Sequence, residues 1–126
     1  MSITYTIDKN NRFIHRVVSG TVTSDEILAH ITEILQHPDY QPGMKSLTEL
    51  RAIQQSASPE DIRQIANFIL GRSKDVQGGR AALVVTKDVN FGMARMMELL
   101  TESSPLSIGV FRELTEAYEW LDIKTG

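Results

Sequence analysis

Gly78-Gly79-Arg80-Ala81-Ala82-Leu83-Val84-Val85-Thr86 is the stretch from which the fold is read. Two glycines punctuate the chain, and an unbroken apolar run follows. A strand with one wet face alternates apolar and polar residues, whereas a strand covered on both faces has no polar side to show. The run therefore predicts a buried strand in a sheet with helices packed on it. Toward the C-terminus, Asn90 to Glu102 has helical spacing, with Met93, Met96, Met97 and Leu100 on one face and Ser103-Ser104-Pro105 closing it. Leu106 to Phe111 returns to a strand, and Thr115-Glu116 caps a short last helix bearing Ala117, Trp120 and Leu121.

Toward the N-terminus, Ser58-Pro59-Glu60-Asp61 is the best local signal in the chain. Serine caps, proline occupies the first helical position, and two acids face the positive end of the helix dipole. Ile62, Ile65, Ala66 and Ile69 form the apolar face of that helix, and Gly71 stops it. A strand is placed near 45–50. Before it, a helix starts at Thr23-Ser24-Asp25-Glu26, carries Ile27, Leu28, Ile31, Ile34 and Leu35, and ends at His37-Pro38-Asp39, because the residue before proline is pushed out of helical conformation. The chain opens with Ile3-Tyr5-Ile7 alternating with Thr4-Thr6, a turn cluster at Asp8-Lys9-Asn10-Asn11, and a β-rich run from Phe13 to Val18. These two segments predict a hairpin, and Gly20 ends it.

The order is ββαβαβαβα. It predicts an α/β fold with a five-stranded, mostly parallel sheet, an antiparallel first strand, four helices and right-handed crossovers. At 126 residues the chain has the size of one domain, with no linker, repeat or low-complexity tract, so 1–126 reads as a single unit.

Composition narrows the function classes. The chain is 41% hydrophobic and 23% charged, which is ordinary for a globular protein. A net charge of −3 gives no basic footprint for phosphate neutralisation, so no nucleic acid partner is expected. There are no cysteines, which removes disulfides, thiolate ligands and thiol nucleophiles together. The N-terminus lacks a signal-like apolar core, and no apolar run approaches the ~20 residues of a membrane span. A cytoplasmic protein without stable membrane insertion is expected.

Over roughly 3–122 this order resembles the SpoIIAA-like superfamily, the fold of anti-sigma-factor antagonists and STAS domains. Local echoes are the closing Glu116-Ala117-Tyr118-Glu119-Trp120-Leu121, His37-Pro38 after the first helix, and Arg80-Ala81-Ala82-Leu83-Val84-Val85 as the penultimate strand. The resemblance implies a stand-alone bacterial protein of unassigned activity, acting as a regulatory module through another protein. The better-known STAS members are switched at a serine in an Asp-Ser-Ser-Gly-like motif that opens the second helix. Here that loop reads Arg51-Ala52-Ile53-Gln54-Gln55-Ser56-Ala57-Ser58-Pro59-Glu60. Ser56 and Ser58 are the candidate phosphorylation sites, but the motif is absent.

Catalytic motifs are not found. No G-x-S-x-G elbow pins a nucleophile. Asp25/Glu26 and Glu60/Asp61 sit where helix capping places acids. His30 and His37 are seven apart rather than three or four, and His15 is on a strand, so surface or packing roles are expected for all three and no metal, cofactor or enzymatic activity is predicted. Ligands of open parallel sheets sit beyond the strands' carboxyl ends, which selects loops 51–58, 86–90 and 112–115. The entrance of the third helix, Lys87 to Arg95, offers an anion site: its first turn has no acid after Asn90, Gly92 permits close approach, and Lys87 and Arg95 supply charge. The same residues also read as an ordinary capped helix with two solvated cations. Met93, Met96 and Met97 read as core, with a homodimer face or an apolar ligand pocket as the alternative.

Two functions compete. The first is a non-catalytic regulatory module that binds a protein partner and acts as a homo-oligomer. The second is a carrier of a small acidic or lipid-like ligand held between the sheet and the second and third helices.

Overall fold

The computed structural model describes residues 1–123. The opening alternation forms β1 (Ser2–Asp8), which pairs antiparallel with β2 (Phe13–Thr21). Next come α1 (Ser24–Leu35), β3 (Lys45–Gln55), α2 (Pro59–Leu70) and α3 (Ser73–Val76). The chain continues through β4 (Arg80–Val84), α4 (Asp88–Leu100), β5 (Ser107–Phe111) and α5 (Leu114–Leu121). The five strands lie in the order β1-β2-β3-β4-β5, all parallel except β1.

Strand order equals chain order, and this sets the layering. Right-handed crossovers that always advance in one direction lay their helices on one face of the sheet. Accordingly α1, α2 and α4 share what we term the inner face, where Ile62, Ile65, Ala66, Ile69 and Met97 form a buried cluster. A second inner cluster joins Ile14 of β2, Ile34 of α1 and Met44, with Tyr5, Ile7 and Tyr40 against it. Only α5 covers the opposite, outer face, packing Ala117 and Leu121 on Leu47, Ala82 and Val84. Arg80 stacks over the Trp120 ring at 4.3 Å and helps to hold this helix on the sheet.

Five helices occur rather than four. The extra one, α3, is a single turn in what reads as a loop after Gly71. Its Val76 is buried, and Gly78 at φ 80 turns the chain into β4; one buried valine is too little periodicity to register in sequence. β3 runs on to Gln55 instead of stopping near residue 50, because register shifts against β2 between Val17/Ser19 and Gly20/Thr21 let pairing continue past a break in the alternation. α4 begins at Asp88, two residues before Asn90, with Lys87 in the cap position. α5 begins at Leu114, so Thr115 lies inside the helix and Glu113 is its cap.

The helix starts differ in how firmly they are closed. Ser58 forms a complete capping box: its Oγ accepts from the Asp61 amide at 3.1 Å, and the Asp61 carboxylate accepts from the Ser58 amide at 3.2 Å. Thr23 stands in the cap position of α1, but its hydroxyl donates to Glu26 at 3.2 Å and caps no amide.

Candidate functional site

The inner face of the sheet is only partly filled. A cavity of about 230 Å³ lies between the sheet and helices α1, α2 and α4, reaching both inner clusters. Its walls are mostly aliphatic, with Val18, Ile31, Leu50, Ile65, Leu83 and Met93 among them. An apolar cavity of about 150 Å³ is enough to take up benzene, so this one has room for a substituted ring or a medium-length alkyl chain.

One charge faces that space. On β2 the alternation Ile14, Arg16, Val18 turns all three side chains inward, and Arg16 lines the cavity. Its Nε donates to His30 Nε2 at 3.0 Å, and its Nη1 donates to Thr48 Oγ1 at 3.0 Å. Both acceptors are neutral, and among the described residues no carboxylate lies within ion-pair distance of the guanidinium. Nη2 makes no hydrogen bond among the described residues. Since no buried side-chain polar atom is left without a partner, Nη2 keeps accessible surface, on a residue that lines the cavity. Burial lowers the Arg16 pKa to about 10, which leaves the group cationic at neutral pH.

The surrounding groups hold this cation in place. Thr48 is buried on β3, directly opposite Arg16 in the parallel register. His30 of α1 is 8% exposed and packs edge-on against Tyr5 at 5.3 Å. Accepting at Nε2 requires the neutral ring with its proton on Nδ1. Burial, and then the neighbouring Arg16 charge, push His30 down to about 4. Tyr40 lines the cavity and donates its hydroxyl to the Asp75 carbonyl at 2.6 Å, joining the segment after α1 to α3. Burial and then Asp75 raise the Tyr40 pKa, with Arg16 opposing, so the phenol stays neutral.

A second polar group lies toward the carboxyl ends of the strands. Asn90, in the first turn of α4, is 5% exposed and lines the cavity. Its side-chain amide makes no hydrogen bond among the described residues, so its polar atoms keep some accessible surface beside the cavity that the residue lines. Ser56, in the loop after β3, also borders the cavity.

The other residues singled out in sequence do not converge with Asn90. Lys87, Gly92 and Arg95 are exposed, Arg95 pairs with Glu98, and a Cβ on Gly92 would meet nothing within 4 Å. Asp88, which pairs with Arg112 at 2.8 Å, puts an acid in the first turn of α4. Met93 and Met97 line the cavity, and Met96 packs against the inner cluster. The exposed apolar residues of α4 are Val89, Leu99 and Leu100, so a homodimer built on this helix would use those. Ser58 is exposed, and its hydroxyl is engaged with Asp61.

On the outer face His15 Nε2 meets Glu49 Oε2 at 2.6 Å, and Glu49 also pairs with Arg51. Burial works against the Glu49 charge, but hydrogen bonds from Arg51 and His15 outweigh it and hold the carboxyl below its usual range. Among the described residues no three His, Asp or Glu side chains gather to hold a metal ion. No helix among them is long and apolar enough to cross a membrane.

Arg16, His30 and Thr48 escaped the sequence reading of the site, which looked beyond the strand ends. That rule applies where strand order reverses and opens a crevice, and here the parallel strands never reverse. The available signal was the strand alternation, which places an arginine between two inward aliphatic residues.

No family model matches the chain, and no curated protein matches it in sequence. Among solved structures, it is similar to an uncharacterized protein of the DUF3478 family from Shewanella loihica PV-4, described as having a SpoIIAA-like fold. The superposition covers 94% of this chain and 93% of that one, with a TM-score of 0.60 at 14% identity. With the mixed five-stranded sheet and its helices on both faces, this likeness identifies the fold of the chain as SpoIIAA-like.

Proposed function

We propose that this protein binds and carries a small amphipathic acid, holding the carboxylate at Arg16 and the apolar body in the cavity, and that it does so without catalysing a reaction. The observation that carries this reading is a cavity-facing guanidinium with only neutral partners. A charge taken out of water is costly unless it is paired. An anion entering the cavity supplies the missing partner, in surroundings of low dielectric where the attraction is strong. Aliphatic walls select against inorganic anions and favour an acid with a hydrocarbon part. Binding without chemistry fits the polar lining: the His30 imidazole already accepts from Arg16 at Nε2 and is not free there to take a substrate proton.

Native mass spectrometry of gently purified protein, compared with Arg16→Met, tests this. The wild type is expected to carry a dissociable added mass that the variant lacks. With ligand removed from the wild type, the variant is expected to unfold at the higher temperature, because a desolvated charge with only neutral partners has been replaced by an apolar side chain. Each protein appearing at its own sequence mass, with nothing added, would count against a carrier.

A second reading, regulation through a protein partner, is favoured by Val89 and Leu99, which are 62% and 60% exposed on α4. A stable complex with a second polypeptide in the same spectra, unchanged in Arg16→Met, would favour it.

A further inference from the structure

The cavity has two polar ends. Arg16 and Thr48 form one, at the middle of β2 and β3. Asn90 forms the other, in the first turn of the helix that follows β4. β2 and β4 are two strand spacings apart, about 10 Å across the sheet at about 4.8 Å per strand, and Asn90 lies beyond the end of β4. Between them the lining is aliphatic, with Leu50, Ile65, Leu83 and Met93.

Asn90 is the informative residue. It is 5% exposed and lines the cavity; its side-chain amide makes no hydrogen bond among the described residues, and its polar atoms keep some accessible surface. A polar side chain so buried normally satisfies its donors and acceptor within the protein. An alkyl chain ending beside it would strip the amide of water and return no hydrogen bond.

The geometry points to a bifunctional ligand: a monocarboxylate whose far end carries a neutral hydrogen-bonding group, such as a hydroxyl, carbonyl or amide. The carboxylate meets Arg16 and Thr48, the hydrocarbon body fills the aliphatic middle, and the far group pairs with Asn90. A neutral far group is required, because an amide has both a donor and an acceptor but no charge to offset a second carboxylate. Ser56, at the same end of the cavity, adds a hydroxyl to that subsite. This assignment rests on the carrier reading and adds the ligand's chemical class to it.

The test is calorimetric titration of the full chain with straight-chain acids from hexanoate to dodecanoate, each with and without a terminal hydroxyl. At the best-fitting length the hydroxy acid is expected to bind roughly two- to tenfold more tightly than the plain acid, the worth of one neutral hydrogen bond. In Asn90→Leu that preference is expected to reverse, while plain-acid binding persists and reports an intact cavity. Plain acids binding at least as well as their hydroxy counterparts in the wild type would overturn the two-ended site and leave the carrier standing. A hydroxyl preference that survives Asn90→Leu would overturn the role of Asn90. Binding of neither series would overturn the carrier reading and this inference together.

Discussion

His30 links the cavity to pH. Its folded pKa is about 4, against about 6.5 for a free imidazole. Between those values the unfolded chain binds a proton that the folded one refuses. Stability from this group is therefore full above about pH 6.5 and is lost as the pH falls toward 4. At about 1.4 kcal/mol for each tenfold change, the loss is on the order of 3 kcal/mol. Denaturant unfolding at a series of pH values is expected to show it in the wild type. The loss should be absent from His30→Asn, which keeps an acceptor for Arg16 but has nothing to titrate. Equal acid sensitivity in both proteins would mean that His30 is not the group. At this scale the sequence is informative in part: Asn90 is legible as a site residue at a helix start and lines the cavity, whereas Arg16 is one polar residue within a β-rich run. An arginine on the inward side of a strand is legible only once the covered face is known, and α1 is the first helix to cover it.

Among the elements, α2 is the one whose start is closed by its own side chains. Ser58→Ala removes the hydroxyl that accepts from the Asp61 amide, and is expected to cost about 1 kcal/mol, read as a lower denaturation midpoint. A phosphate on Ser58 would sit beside the Asp61 carboxylate, which already accepts from the hydroxyl at 3.0 Å, and the repulsion offsets the gain from the helix dipole. Helices with a clean apolar face, α1 and α2, were legible nearly to the residue. β3 was not, and the reason is physical. Its inward positions include Ser46 and Thr48, polar residues that are buried against the cavity, and its register shifts against β2 break the alternation further along. A strand that supplies a polar site gives up the pattern by which strands are recognised.

For the molecule as a whole, the two faces of the sheet divide the work. The outer face is closely packed: a Cβ on Gly109 would come within 2.9 Å of Phe111 and 3.1 Å of Trp120. Gly109→Ala is expected to destabilise by about 1–3 kcal/mol through overpacking, with ligand affinity in the folded protein unchanged because the cavity lies across the sheet. Calorimetric titration beside chemical denaturation separates the two effects, and a parallel loss of affinity would show that the faces are coupled. The overall order of strands and helices was legible because Gly78-Gly79 and the apolar run after them mark a strand covered on both sides. The short α3 was not, since four residues are too few to display a period.

Strand order that equals chain order also bears on how the molecule is made. No strand has to be inserted between two that are already paired, so each new element docks on the edge left by the one before it. This order suits a chain that emerges from its N-terminus during synthesis. By Thr48 the guanidinium of Arg16 has both of its protein acceptors. The helices that shut out water, α2 and α4, arrive only afterwards, so the charge stays hydrated through most of assembly and gives up its water at the end.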